Sequence, residues 1–250
     1  MEDQINVLEA RVPPQPGNAA QAPQLLPMGR ITAYALVAIA FCGLATIGFG
    51  WLAKGVFSDR FVAFDDGLLT LFHGYWGPIP NQIMLLFTML GDPAVLIPLL
   101  LFVGITLLAR GRWIDAAGLL LAGGGAGLLN QLLKDIFQRV RPSLFDGPFH
   151  LTSYSFPSGH SMGSIACYGM LAYIAIQLLA HRVARVAVAI AAALLILCIG
   201  ISRIYFNVHY PTDVLGGFIA GAIWLVFSIV VVQTAELYAQ ARAHSVAPSA

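Results

Sequence analysis

The chain has 250 residues, 58% of them hydrophobic and only 10% charged, with a mean hydropathy of +0.80 and a formal net charge of +1. Soluble domains carry about 25% charged residues, so this composition excludes an ordinary soluble protein and points to an all-α, polytopic membrane protein. The near-neutral balance leaves no electrostatic footprint for a nucleic-acid partner. Cys42, Cys167 and Cys198 fall inside apolar runs without metal-ligand spacing, which assigns them to packing and not to disulfides or a metal.

Residues 1–30 read as a flexible tail. Glu2, Asp3 and Glu9 precede Pro13, Pro14, Pro16, Pro23 and Pro27 among small polar residues, and nothing there resembles the apolar core of a signal peptide. Six apolar runs then read as spans: residues 31–52, 93–109, 113–137, 161–180, 183–201 and 211–232. The stretch 61–90 is apolar only in pieces, broken by Asp65-Asp66, His73-Gly74 and Pro78-Ile79-Pro80. It is read as two short interfacial helices, residues 61–73 and 81–90, in preference to a further span. The expected architecture is therefore a six-transmembrane-helix bundle over residues 31–232, with short interfacial helices between the first and second spans and a polar tail over 233–250. Gly123-Gly124-Gly125-Ala126-Gly127 lacks the Lys-Ser/Thr of a phosphate loop, and with Gly217 and Gly221 it reads as close helix packing.

Six spans put both ends of the chain on one side. Seven arginines fall on that side (Arg11, Arg30, Arg110, Arg112, Arg182, Arg185 and Arg242) against six cations opposite (Lys54, Arg60, Lys134, Arg139, Arg141 and Arg203). If Lys134, Arg141 and Arg203 serve a ligand, the remaining balance places the N-terminus in the cytoplasm. The segment 138–159 and the turn 202–210 then face outward together.

That outer end collects the polar residues of the chain. Pro157-Ser158-Gly159-His160 opens the fourth span: Ser158 is a good N-cap, Gly159 allows close backbone approach, and a helix N-terminus attracts an anion. His160 adds a proton donor with a suitable pKa. Lys134 and Arg141 close the third span, and Arg203, His209 and Asp213 join the fifth to the sixth. Snorkelling accounts for one cation at a time, but a bound phosphate accounts for the set, because Arg is a fork donor and Lys a point charge to its oxygens. Pro211 suits a first helical turn, so Asp213 reaches back to His209, fixes its tautomer and leaves Nε2 free to attack phosphorus. His160 is then the acid for the leaving oxygen and the base for the hydrolytic water.

The spaced groups Lys134-x6-Arg141-Pro142, Pro157-Ser158-Gly159-His160 and Ser202-Arg203-x5-His209-x3-Asp213 resemble the three signature motifs of the type 2 phosphatidic acid phosphatase superfamily. All three occur in order without substitution at the key positions. The resemblance implies a metal-independent, cofactor-free phosphatase of lipid phosphates or diphosphates that works through a phosphohistidine. His209 matches the nucleophile, His160 the acid and Asp213 the support of the nucleophile. Lys134, Arg141, Ser158, Gly159 and Arg203 match the phosphate-binding positions.

The expected substrate order is undecaprenyl diphosphate, then phosphatidylglycerophosphate or phosphatidate, then the lipid A phosphates. The expected location is the inner membrane, with the site facing the periplasm or exterior. A lipid phosphotransferase with the same site, or an anion transporter, are the alternatives; oligomeric state is not readable. Asp65-Asp66 reads as a solvated pair, and His73 and His150 stand aside from the chemistry. Tyr205, Phe206 and Tyr210 read as an interfacial belt, and Asn130 and Gln131 as hydrogen-bonding groups between helices.

Overall fold

The computed structural model describes residues 28–149 and 151–246; the expected N-terminal tail lies outside them apart from residues 28–30, as does His150. The chain divides into two units, residues 1–36 and 37–250. Of the first, residues 28–36 are described and helical; the second holds the rest of α1 and every later helix. The described residues form helices and connecting loops with no strand: α1 Met28–Phe57, α2 Val62–His73, α3 Pro78–Leu90, α4 Pro93–Ala109, α5 Trp113–Phe137, α6 Gly159–Leu178, α7 Arg182–Tyr205 and α8 Pro211–Val246.

Local chemistry sets the helix boundaries. Asp92 caps α4, its Oδ1 accepting from the Ala94 N–H at 2.8 Å, and Pro93 occupies the first helical position, where a missing N–H costs nothing. Pro78 and Pro211 open α3 and α8 in the same way. Gln138 ends α5 in the left-handed region (φ 48°), which turns the chain sharply into the long loop before α6.

Among the described residues, five helices are long and apolar enough to cross a membrane: α1 from Ala35, α5, α6, α7 and α8. The expected span over 93–109 needs correction. Its 17 residues reach about 25 Å at 1.5 Å per residue, short of a hydrocarbon core of about 30 Å. α3 and α4 meet at a bend of 47° across Gly91-Asp92 and together are long and apolar enough for one broken span, which makes six, or for a re-entrant arm, which leaves five. The second of the two expected interfacial helices is thus the first limb of that pair, while α2 remains a short separate helix. Beyond Gln233, α8 stays helical to Val246.

α6 is the central helix, packed by α5, α7 and α8. Glycine lets α8 approach it: a Cβ on Gly217 would stand 2.5 Å from the Ser158 carbonyl oxygen, and one on Gly221 would stand 2.8 Å from that of Met162. The glycines of α5 serve the same end against separate neighbours, Gly123 against Leu100 of α4 and Cys167 of α6, Gly125 against Trp224 of α8. Large apolar side chains such as Leu44, Leu120, Leu128, Val183 and Ile190 point outward from the bundle, as a lipid solvent requires. The ends of α5 and α7, the starts of α6 and α8, α2 and the α3–α4 bend all come together at one end.

Overpacking at a glycine contact costs about 1–3 kcal/mol. Gly217→Leu is therefore expected to lower the melting temperature in detergent, while Gly127→Leu, at a position with nothing within 4 Å, leaves it near wild type.

Candidate active site

The loop 139–158 is laid against the α7–α8 turn by its own backbone. The Ser155 N–H donates to the Arg139 carbonyl at 2.7 Å, and the Ser158 N–H donates to the Asp213 carbonyl at 3.0 Å. The turn ahead of α6 is propped from α5 by Asn130, whose Nδ2 donates to the Pro157 carbonyl at 3.2 Å. Gly159 sits against the same side chain, where a Cβ would meet Asn130 Oδ1 at 2.9 Å. Ser158 occupies the N-cap position without making a capping bond; its Oγ accepts from Ser161 Oγ at 3.1 Å instead.

His209 is buried in the α7–α8 turn, its N–H donating to the Arg203 carbonyl at 3.3 Å. Arg141 Nη1 lies 3.1 Å from His209 Nε2 and donates to the Val208 carbonyl at 2.6 Å. On the other edge of the ring, Nδ1 is 3.3 Å from Ser155 Oγ and 3.5 Å from Asp213 Oδ2. Ser155 Oγ donates to Asp213 Oδ2 at 2.5 Å, and the Tyr210 N–H donates to the same oxygen at 2.9 Å. Arg139 Nη1 donates to Asp213 Oδ1 at 2.5 Å.

The remaining cations are held by neutral oxygens. Lys134 Nζ donates to the Tyr154 carbonyl at 2.5 Å, and Arg141 Nε to that of Ser153 at 2.7 Å. Arg203 Nη1 donates to Thr88 Oγ1 at the end of α3; its Nε is buried without a protein partner, and the guanidinium lies 5.9 Å from the Phe149 ring centroid. His160, second in α6, faces the α3–α4 bend. Its Nε2 is 3.8 Å from Asp92 Oδ2, and a Cβ on Gly91 would meet its ring at 3.1 Å.

The charges of Lys134, Arg141 and Arg203 act on both imidazoles. Burial first, and then Arg141, Arg203 and Lys134, hold the His209 pKa well below the ordinary imidazole value. Burial likewise lowers that of Arg141. Burial also disfavours the Arg139 charge, but Asp213 and Asp65 outweigh it, and its pKa lies above the usual guanidinium value.

Lys134, Arg141, Ser158, Gly159, His160, Arg203, His209 and Asp213 therefore gather at one end of the bundle. Several expectations from the sequence are corrected around them. Asp65 is not solvated: it is fully buried and receives Arg139 Nη2 at 2.8 Å and Thr212 Oγ1 at 2.6 Å. Tyr205 and Phe206 form no interfacial belt, being buried among Phe72, Trp76 and Phe149, while Tyr210 lies under the Arg139 guanidinium at 4.1 Å. Gln131 bonds Asp135 within its own helix. His73 stacks on Phe145 at 3.8 Å, away from the imidazole pair. Ser155, Arg139, Asp65, Thr88 and Asp92 were missed by sequence reasoning. Proximity along the chain to Pro157 and Arg141 was the only signal for the first two.

The PAP2 superfamily profile matches residues 115–237, which contain every cation and histidine of this cluster. The chain is 38% identical over 148 residues to phosphatidylglycerophosphatase B of Bacillus subtilis strain 168, covering 58% of this chain and 71% of that protein. It is 36% identical over 106 residues to a lipid A 1-phosphatase of Rhizobium johnstonii, covering 39% of each. The crystal structure of a transmembrane PAP2-type phosphatidylglycerolphosphate phosphatase from Bacillus subtilis superposes with a TM-score of 0.69 at 32% identity, over 75% of this chain and 93% of that one. With its helices long enough to cross a bilayer, the chain belongs to the PAP2 superfamily as a multi-pass membrane member.

Proposed function

We propose that this chain, a membrane lipid phosphatase of the PAP2 type, hydrolyses a lipid phosphate through a phosphohistidine on His209. What carries the reading is the tautomer of that residue. Arginine is a donor only, so Arg141 Nη1 at 3.1 Å from Nε2 leaves the lone pair on Nε2 and the proton on Nδ1, toward Ser155 and Asp213. The attacking lone pair thus faces the side from which three cations draw an anion.

A phosphate entering between Arg141 and His209 meets Lys134, Arg141 and Arg203 at its non-bridging oxygens, with the Ser158 hydroxyl and the Gly159 N–H at the start of α6. Nε2 forms its bond to phosphorus as the bond to the lipid oxygen breaks, and His160 gives that oxygen its proton. His160 then takes a proton from water, whose oxygen bonds phosphorus as the P–N bond breaks. The electron pair returns to Nε2 and orthophosphate leaves. The phosphate charge is met by side chains throughout, so the scheme needs no metal ion.

Two relatives bear names that set the substrate panel: a phosphatidylglycerophosphatase and a lipid A 1-phosphatase. Phosphatidylglycerophosphate therefore heads it, alongside undecaprenyl diphosphate, phosphatidate and lipid A 1-phosphate. The proposed location is the inner membrane, with the site at the periplasmic or outer face.

Orthophosphate release by the purified protein from each lipid, without an acceptor lipid, tests the reading; phosphate appearing only when an acceptor is supplied would make the chain a transferase. His209→Ala is expected to lower kcat by about a thousandfold or more and Asp213→Asn by about a hundredfold, with lipid binding little changed; activity near wild type in both would remove the nucleophile. Activity should persist in EDTA and fall with vanadate, which mimics the five-coordinate phosphorus. Because its pKa is lowered, His209 stays unprotonated below the ordinary value of about 6.5, so in a pH–rate profile of kcat/KM its acid limb is expected below that pH.

A further inference from the structure

Asp213 shares its cation. Arg139 donates through Nη1 to Asp213 and through Nη2 to Asp65, and Asp65 also receives the Thr212 N–H at 3.0 Å and the Thr212 hydroxyl at 2.6 Å. Asp65 belongs to α2 and lies 74 residues from Arg139 in the chain, so the contact closes across the whole site. Both carboxylates are fully buried, and the Arg139 side chain is 14% exposed above the Tyr210 ring.

Two fully buried carboxylates share one guanidinium, and carboxylates so far from water hold one orientation only where fixed donors hold them. The His209 ring gains a positive charge once Nε2 is bonded to phosphorus while Nδ1 keeps its proton, so the oxygen that faces Nδ1 has to be fixed in advance. Asp213 also has a fixed aim: Arg139 holds Oδ1, so Oδ2 is the oxygen presented to Nδ1, Ser155 and the Tyr210 N–H.

We infer that Asp65 and Arg139 are positioning residues for the nucleophile: Arg139 sets the orientation of Asp213, and Asp65 fixes Arg139. α2, outside the three motifs, is on this view part of the catalytic apparatus. The inference rests on the reading of His209 and Asp213 given above. A plain structural pin between α2 and α8 would use the same contacts but would act on stability and not through Asp213.

The experiment is a double-mutant cycle on the full-length protein in detergent, reading kcat and KM for orthophosphate release beside the melting temperature. Arg139→Met is expected to lower kcat about 30-fold and Asp65→Asn about 10-fold, each with KM within about threefold, and Arg139→Lys to recover most of the loss. In an Asp213→Asn background, Arg139→Met should cost less than about threefold more, because its route is already cut. Losses that multiply in full on Asp213→Asn, or wild-type kcat in Asp65→Asn, overturn the inference. If Arg139→Met fails to fold, Asp65→Asn in both backgrounds decides in the same way. A fully active Asp213→Asn would instead sink the nucleophile reading beneath it, so the two failures are distinguishable.

Discussion

Positive charge held without a carboxylate is the constraint on which this end of the bundle depends. Lys134 and Arg141 are anchored by backbone carbonyls and Arg203 by a threonine hydroxyl, while both buried carboxylates of the site go to Arg139. A neutral acceptor fixes the direction of a cation and leaves its charge intact. In a partly desolvated site that charge acts at full strength on whatever enters. Had Asp213 paired with Arg141 or Arg203, the same residues would have made a quiet structural ion pair.

Holding such a cluster in place demands rigid backbone, and the turn ahead of α6 is fixed by three contacts from two helices. Asn130 bonds it from α5, the Asp213 carbonyl receives its Ser158 N–H from α8, and Gly217 lets the α8 backbone come within contact of it. Glycine is required on both sides of these contacts: a Cβ at Gly159 would collide with the Asn130 side chain that props the turn, and one at Gly217 with the Ser158 carbonyl of the turn itself. Donors fixed in advance need no reorganisation when charge develops, which is where most electrostatic stabilisation of a reaction comes from.

The gathering of Lys134, Arg141, His160, Arg203, His209 and Asp213 at one end was legible because polar residues are scarce in this chain and helix order alone brings their segments to a common face. The burial of Asp65 against Arg139 was hidden for the opposite reason. Asp65 and Asp66 are adjacent on a short helix, nothing local tells which of them turns inward, and the partners of Asp65 are 74 and 147 residues away. Tyr205 and Phe206 misled because the aromatic residues that cover them, Phe149 and Trp76, come from a loop and a turn without a sequence period. At Gly91-Asp92-Pro93 a boundary was visible in the residues, but the 47° bend that joins α3 and α4 there was not.

α8 carries a mechanical consequence. Its 36 residues make a rod of about 54 Å, and even tilted by 40° it rises about 40 Å, more than the roughly 30 Å of hydrocarbon it crosses. Asp213 sits in the first turn of that rod, so one unbroken helix, longer than the hydrocarbon thickness, joins the cluster around Asp213 to the opposite end of the bundle.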